Sequence, residues 1–194
     1  MKHTKLFLLL LSALLSVTAA SAQNFTDAAD LPVKKRTKLE QENRQIIFSN
    51  FEKFNRGDTA AAADDWSDDL TNHGEKVGRS GIKMVLDDII RTFPDAKLEI
   101  QSIVVDGDMA VVRTLFTGTH RGVGRLPVNG GMLIGVEPTG KSFAVNHIHW
   151  FRLRDRKIIA HWATRDDVEM MRQLGLEIEI KAKVGASNTP SSEK

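Results

Sequence analysis

The apolar positions follow two different periods, and the change between them divides the chain. Over residues 38–56 Leu39, Ile46, Ile47, Phe51 and Phe54 recur at helical spacing, which predicts an amphipathic helix stopped by Gly57. Asp58 then stands where an N-cap belongs, ahead of a short second helix running through four alanines to Trp66. Residues 68–74 read as a polar loop. A third helix opens at Arg79 or Ser80. Its Ile82, Val85, Leu86, Ile89, Ile90 and Phe93 keep an i, i+3, i+4, i+7 stripe, and Pro94 ends it.

After Pro94 the period becomes two. Leu98, Ile100, Ile103, Val104 and Val105 predict a strand, and Asp106-Gly107-Asp108 predicts a tight hairpin. Return strands follow over residues 109–120, 142–153 and 158–166. Between the first and second of these return strands lies a glycine-rich stretch, residues 118–140, expected to be a long loop that covers a pocket. Residues 168–174 predict a short helix closed by Gly175. Helices first and an antiparallel meander after them predict an α+β fold, with N-terminal helices packed against a curved antiparallel sheet, an α+β cone or barrel. Such a sheet leaves a cavity between helix and concave face, the default place for a ligand.

The two ends stay outside this pattern. Residues 1–5 are basic, 6–17 are apolar, and Ala20-Ser21-Ala22 fits a small-x-small cleavage site. The apolar run is too short for an ordinary spanning helix. The expectation is a bacterial protein exported to the periplasm or the medium, with the leader cut after Ala22 and no stable membrane insertion afterwards. Residues 23–37 read as a linker, 38–176 as the domain, and 177–194 as a charged and then disordered tail.

Composition narrows the function classes. The chain of 194 residues is 41% hydrophobic and 27% charged, as globular domains are. A net charge of +2, with one basic cluster at Lys34-Lys35-Arg36 ahead of the fold, argues against nucleic acid as a partner. The absence of cysteine excludes disulfides, thiol catalysis and a lipidated cysteine.

The candidate chemistry gathers on the last strand. Simple alternation puts Ile158, Ala160, Trp162, Thr164 and Asp166 on one face, and His161 and Arg165 on the other. A carboxylate ending an apolar face beside an indole is costly to bury while charged, so it should have a raised pKa or a donor. That makes Asp166 a candidate acid–base group. Asp166 or Asp167 equally fits as the N-cap of the next helix, and both readings stand. His161 and Arg165 are expected at the surface or in a dimer contact. His147 and His149 share a strand face. Their spacing would suit a metal, but that strand offers no third ligand. His120 either caps its strand or reaches the pocket, and His73 sits in the polar loop.

Read as an ordered set, several pieces resemble a known family. They are His73 ahead of Gly78-Arg79-Ser80-Gly81, Phe93-Pro94-Asp95, Asp106-Gly107-Asp108 and Thr117-Gly118-Thr119-His120-Arg121-Gly122. They continue with Pro138-Thr139-Gly140-Lys141, His149-Trp150-Phe151-Arg152, Lys157-Ile158, Trp162 with Asp166, and Gln173-Leu174-Gly175. Together, over residues 38–176, they resemble the SnoaL-like polyketide cyclases, or ester cyclases, of the nuclear-transport-factor-two-like superfamily. The resemblance implies intramolecular aldol closure of a carbonyl-rich small molecule, without metal, cofactor or covalent intermediate. It implies that Asp166, in its Trp-x-x-x-Asp spacing, is the general acid/base, with His149 as its catalytic partner on the preceding strand. It implies that His73 lies at the substrate, with His147 the second match after His149; His120 as a hydrogen-bond donor and Trp162 as apolar wall are read as further substrate contacts. A homodimer is expected because it is common in the superfamily. Two departures stand out: the export signal, and the lack of any tyrosine for a phenolic contact. The alternative is a non-catalytic small-molecule-binding or dimeric scaffold protein of the same fold.

Overall fold

The computed structural model describes residues 35–177. The expected leader, most of the linker and all but the first residue of the tail lie outside the described residues.

Helix α1 (Lys38–Asn55) opens on a capping box: Thr37 Oγ1 accepts from the Glu40 backbone N–H at 3.2 Å, and Glu40 Oε2 accepts from the Thr37 N–H at 2.7 Å. Two orphan amide donors are thereby satisfied where the apolar stripe begins. Helix α2 (Thr59–Ala63) is capped by Asp58, whose Oδ1 accepts from the Ala61 N–H at 3.0 Å. Next come strands β1 (Trp66–Asn72) and β2 (Glu75–Lys76), in the stretch expected to be a loop. The polar residues of β1 hide a strand that buries only Trp66 and Leu70. Its main partner is far away in sequence, so no local turn signals it. Helix α3 (Gly78–Thr92), strands β3 (Lys97–Asp106), β4 (Met109–Thr119), β5 (Ser142–Arg154) and β6 (Lys157–Arg165), and helix α4 (Asp167–Leu174) follow. Gly175 ends α4 in the left-handed conformation at φ 72°.

The fold class is α+β, with the helices on one face of a curved, unclosed six-stranded sheet ordered β2-β1-β6-β5-β4-β3. All neighbours are antiparallel except β1 and β6. Strand β5 alternates without a break, burying Phe143, Val145, His147, His149, Phe151 and Leu153. This face joins Ile47 and Phe51 of α1, Ile82 of α3, and Trp66, Leu70, Val112 and Ile158 in the core. Among the described residues no helix is long and apolar enough to cross a membrane.

Strand β6 breaks its own alternation. Leu153 pairs with Ile158 and Arg152 with Ala160, so Ile159 is left over as a bulge. One extra residue turns every following side chain to the other face. Beyond Ile159, His161 lies opposite Phe151, Ala163 opposite His149 and Arg165 opposite His147, all on the core side. Trp162 instead pairs with Trp150 on the outer face, the two indoles 6.4 Å apart. The faces expected from simple alternation are therefore reversed at the end of the strand.

The loop over residues 120–141 is bolted to α3. The N–H groups of Arg121 and Gly122 donate to the Thr92 carbonyl at 3.0 and 3.1 Å. The buried Asp88 carboxylate accepts from the N–H groups of Arg125 and Leu126 at 3.2 and 3.1 Å. At Gly122 a Cβ would stand 2.0 Å from the Arg91 carbonyl oxygen, so only glycine permits this approach. Gly122→Ala is expected to lower stability by about 1–3 kcal/mol in urea unfolding, as overpacking does. An unchanged midpoint would show that the loop is not clamped there.

Candidate functional site

A cavity of about 100 Å³ lies between α1, α3 and the inner face of the sheet. Phe51 and Phe54 of α1, Val85, Leu86 and Ile89 of α3, and Leu98, Phe116 and Phe151 of the sheet supply apolar wall. Val128, from the 3₁₀ turn Val128–Gly131 in the long loop, covers part of it. The polar lining is narrow in type: among the described residues it is His147, His149, His161, Arg165, Asn50 and Asn72, with no carboxylate.

Three of these groups form a directional chain. His161 Nδ1 lies 2.8 Å from Asn72 Oδ1, and His149 Nδ1 lies 3.1 Å from His161 Nε2. An amide oxygen only accepts, so His161 Nδ1 carries the proton. A neutral imidazole has one N–H, so His161 Nε2 is a lone pair and accepts from His149 Nδ1–H. His149 Nε2 is then an unprotonated lone pair. It is buried and has no hydrogen-bond partner, as is His147 Nε2, and the same holds for the indole Nε1 of cavity-lining Trp66. Orphaned polar atoms are rare in protein interiors, and here three belong to residues lining one hollow.

Burial keeps the imidazoles neutral. Desolvation first, then the Arg165 charge and His73, push His149 down to about 4. Desolvation, then His149 and Arg165, push His147 down to about 3. His161 lies well below the ordinary value, again chiefly through desolvation. Arg165, the one cation in the lining among the described residues, is ion-paired through Nε to Asp167 Oδ2 at 3.3 Å.

The structure brings only some of the expected site residues together. His147 and His149 line the cavity. His73 is exposed and does not line it, φ 52°, its ring 6.0 Å from that of His161. His120 is fully buried elsewhere, under the long loop beside Phe93, where its Nδ1 accepts from the Thr139 N–H at 3.3 Å. It does not line the cavity. Trp162, expected against substrate, is 39% exposed on the outer face. Asp166, expected in an apolar hollow, is exposed and N-caps α4, its Oδ1 accepting from the Glu169 N–H at 3.2 Å. The bulge at Ile159 removes both from the inner face, and it brings in His161 and Arg165, which simple alternation placed outside. Asn72 was missed because β1 itself was missed. Among the described residues no three His, Cys, Asp or Glu side chains are arranged to hold a metal ion.

Comparison with known proteins fits this architecture. A family profile described as SnoaL-like polyketide cyclase matches residues 46–174. IdmH of Streptomyces antibioticus, provisionally described as a polyketide cyclase, is 29% identical with a TM-score of 0.57, covering 69% of this chain and 99% of its own. AclR of Streptomyces galilaeus, provisionally described as a hydroxylase, is 24% identical with a TM-score of 0.59, covering 70% of this chain and 97% of its own. A SnoaL-like polyketide cyclase from Agrobacterium tumefaciens is 22% identical with a TM-score of 0.56, covering 69% of this chain and 98% of its own. The last two likenesses show the fold alone. A search of curated protein sequences gives no match. The profile covers well over half of the chain, so the chain belongs to the SnoaL-like polyketide cyclase family.

The buried imidazoles set a pH dependence of stability. In the unfolded chain both titrate near 6.5, but in the folded protein near 4 for His149 and 3 for His147. Below pH 6.5 the unfolded chain takes up protons that the folded one refuses. Stability is thus full above that pH and falls as the pH drops toward the folded values. Each imidazole adds a slope of about 1.4 kcal/mol per pH unit within its window. His149→Gln is expected to make the fall between pH 6 and 4 shallower by about that amount in urea titrations. An unchanged slope would place the titrating groups elsewhere.

Proposed function

We propose that this family member binds a carbonyl-bearing small molecule in the cavity and moves a proton on it without a cofactor, with His149 Nε2 as the base. One observation carries this reading: the His149 lone pair lies unpartnered among apolar walls, at the end of the chain Asn72–His161–His149. The family supports a cyclase- or isomerase-like, small-molecule role at the coarser level.

The reaction in view is an intramolecular aldol closure. His149 Nε2 takes a proton from the carbon next to a carbonyl, and the resulting imidazolium is held through Nδ1–H on His161. Negative charge gathers on the enolate oxygen, where the Arg165 guanidinium and His147, as its Nε2–H tautomer, can donate. The enolate carbon attacks a second carbonyl carbon of the same molecule, and His149 returns the proton to the new alkoxide. Atoms balance with nothing gained or lost. A base with a pKa near 4 is weak, but it is fully unprotonated at neutral pH. Charge neutralisation of the enolate by Arg165 offsets its weakness.

A second reading, binding without turnover, draws support from Asp166. The residue that matches the family's acid/base position caps a helix in solvent. The export pattern of residues 1–22 supports a periplasmic or extracellular site of action. Exposed Ile148, Trp150 and Trp162 on the outer sheet face support a homodimer paired through that face.

The two readings separate on proton exchange. Wild-type protein incubated with cyclohexanone in deuterium oxide is expected to speed deuterium entry next to the carbonyl. His149→Gln should lose about 100-fold or more of that rate, whereas Asp166→Asn should stay within about threefold of wild type, since loss of an exposed group leaves general-base catalysis intact. The rate should be level from pH 8 to 5 and fall through about 4 as His149 takes a proton. Exchange no faster than in buffer alone, with the ketone bound and recovered unchanged, would favour the binding reading.

A further inference from the structure

The lining of the cavity is electrostatically one-sided. Among the described residues it holds a guanidinium and three neutral imidazoles, and no carboxylate. The acid that partners Arg165, Asp167, lies outside that lining, at the first residue of α4. It engages Arg165 only through Nε, at 3.3 Å. Among the described residues the two terminal amino groups of Arg165 take no hydrogen bond and no second ion pair. Asp167 Oδ1 is itself buried without a partner, so this pair is an incomplete match on both sides.

A guanidinium gripped by Nε keeps its outer edge, two parallel N–H donors, available. That edge fits the two oxygens of a carboxylate in fork-to-fork geometry. The surroundings sharpen the preference. Apolar wall and a half-buried position, with the Arg165 side chain 26% exposed, weaken screening by water. The neutral imidazoles neither compete with Arg165 as anions nor supply a second cation.

We infer that the ligand of this cavity is an apolar, ring-sized carboxylic acid, bound as its carboxylate on the terminal amino groups of Arg165. This rests on the cavity being the binding site, and it adds the charge and size of the guest. The carboxylate is an anchor in addition to the carbonyl on which the proton moves; with such a guest Arg165 holds the carboxylate, and the enolate oxygen is left to His147 Nε2–H instead of Arg165. The cavity, at about 100 Å³, is smaller than the apolar cavities of roughly 150 Å³ that accept benzene, so at most one ring enters. Anchoring there would also relieve His149 and His147 of the Arg165 charge that helps to hold them neutral, and so strengthen the base.

The test compares three probes of one shape by calorimetry at pH 7: benzoate, benzamide and benzylamine. Benzoate is expected to bind at least about tenfold more tightly than benzamide, and benzylamine not at all, as a charge-assisted bidentate contact implies. Arg165→Met should abolish the preference for benzoate while benzamide still binds, which shows that the cavity is intact. Asp167→Asn, which removes the competing carboxylate and keeps the shape, should tighten benzoate further. Equal binding of benzoate and benzamide, or a benzoate preference that survives Arg165→Met, would overturn the anionic anchor and leave the cavity as the binding site. Failure of every probe to bind would overturn both.

Discussion

The extra residue at Ile159 interrupts the β5–β6 ladder, and each side chain beyond it is turned to the opposite face. Without it, Trp162 and Thr164 would point into the hollow, and His161 and Arg165 would point out. With it, an imidazole and a guanidinium enter, opposite Phe151 and His147. The tie to β1 depends on a second irregularity, in β1 itself: between the Trp66–Ile158 and Thr71–Ala160 pairs β1 advances five residues and β6 two. Strand β6 runs parallel to β1, and that register shifts too, so that Asn72 comes level with His161. The side-chain bond from His161 to Asn72 is therefore a consequence of ladder geometry, and the orientation of the whole imidazole chain follows from that bond.

Apolar burial does the rest. A charged imidazole among Phe51, Phe54, Phe116 and Phe151 would give up its hydration for little in return, since no carboxylate lines the cavity. The cluster therefore avoids charge rather than balancing it. Aromatic packing holds the rings in place: the His149 ring lies nearly parallel to those of Phe151 and His161, with interplanar angles of 11° and 22°. Fixed rings with one defined tautomer give a cavity whose acceptor atom does not need to reorganise when a guest arrives. The loop over 120–141, tied through Asp88 and Thr92 to α3, sets Val128 over the same hollow.

Much of this was legible in the chain. The helical stripes of α1 and α3 and the alternation of β5 gave the fold class, because each buries one face against one core and no other pattern competes. His147 and His149 were legible as a pair on one face for the same reason. Where the reading failed, the cause was non-local. Strand β1 carries few buried side chains and finds its partner across most of the domain. The bulge at Ile159 leaves no trace in Ile158-Ile159-Ala160, where either isoleucine suits the core. A one-residue uncertainty there reverses the assignment of Trp162, Asp166, His161 and Arg165 at once. The capping alternative for Asp166 is the one realised, as the run of helical residues after it allowed.

His149 carries a buried, unprotonated Nε2 on a ring that lines the cavity, held in that tautomer by His161 and Asn72. The most direct measurement is a long-range nitrogen–proton correlation spectrum of the imidazoles, followed from pH 8 downward. His149 and His161 should be neutral with the proton on Nδ1, and His149 should stay so until about pH 4. A proton on His149 Nε2 at neutral pH, or titration of His149 at its ordinary value, would contradict it.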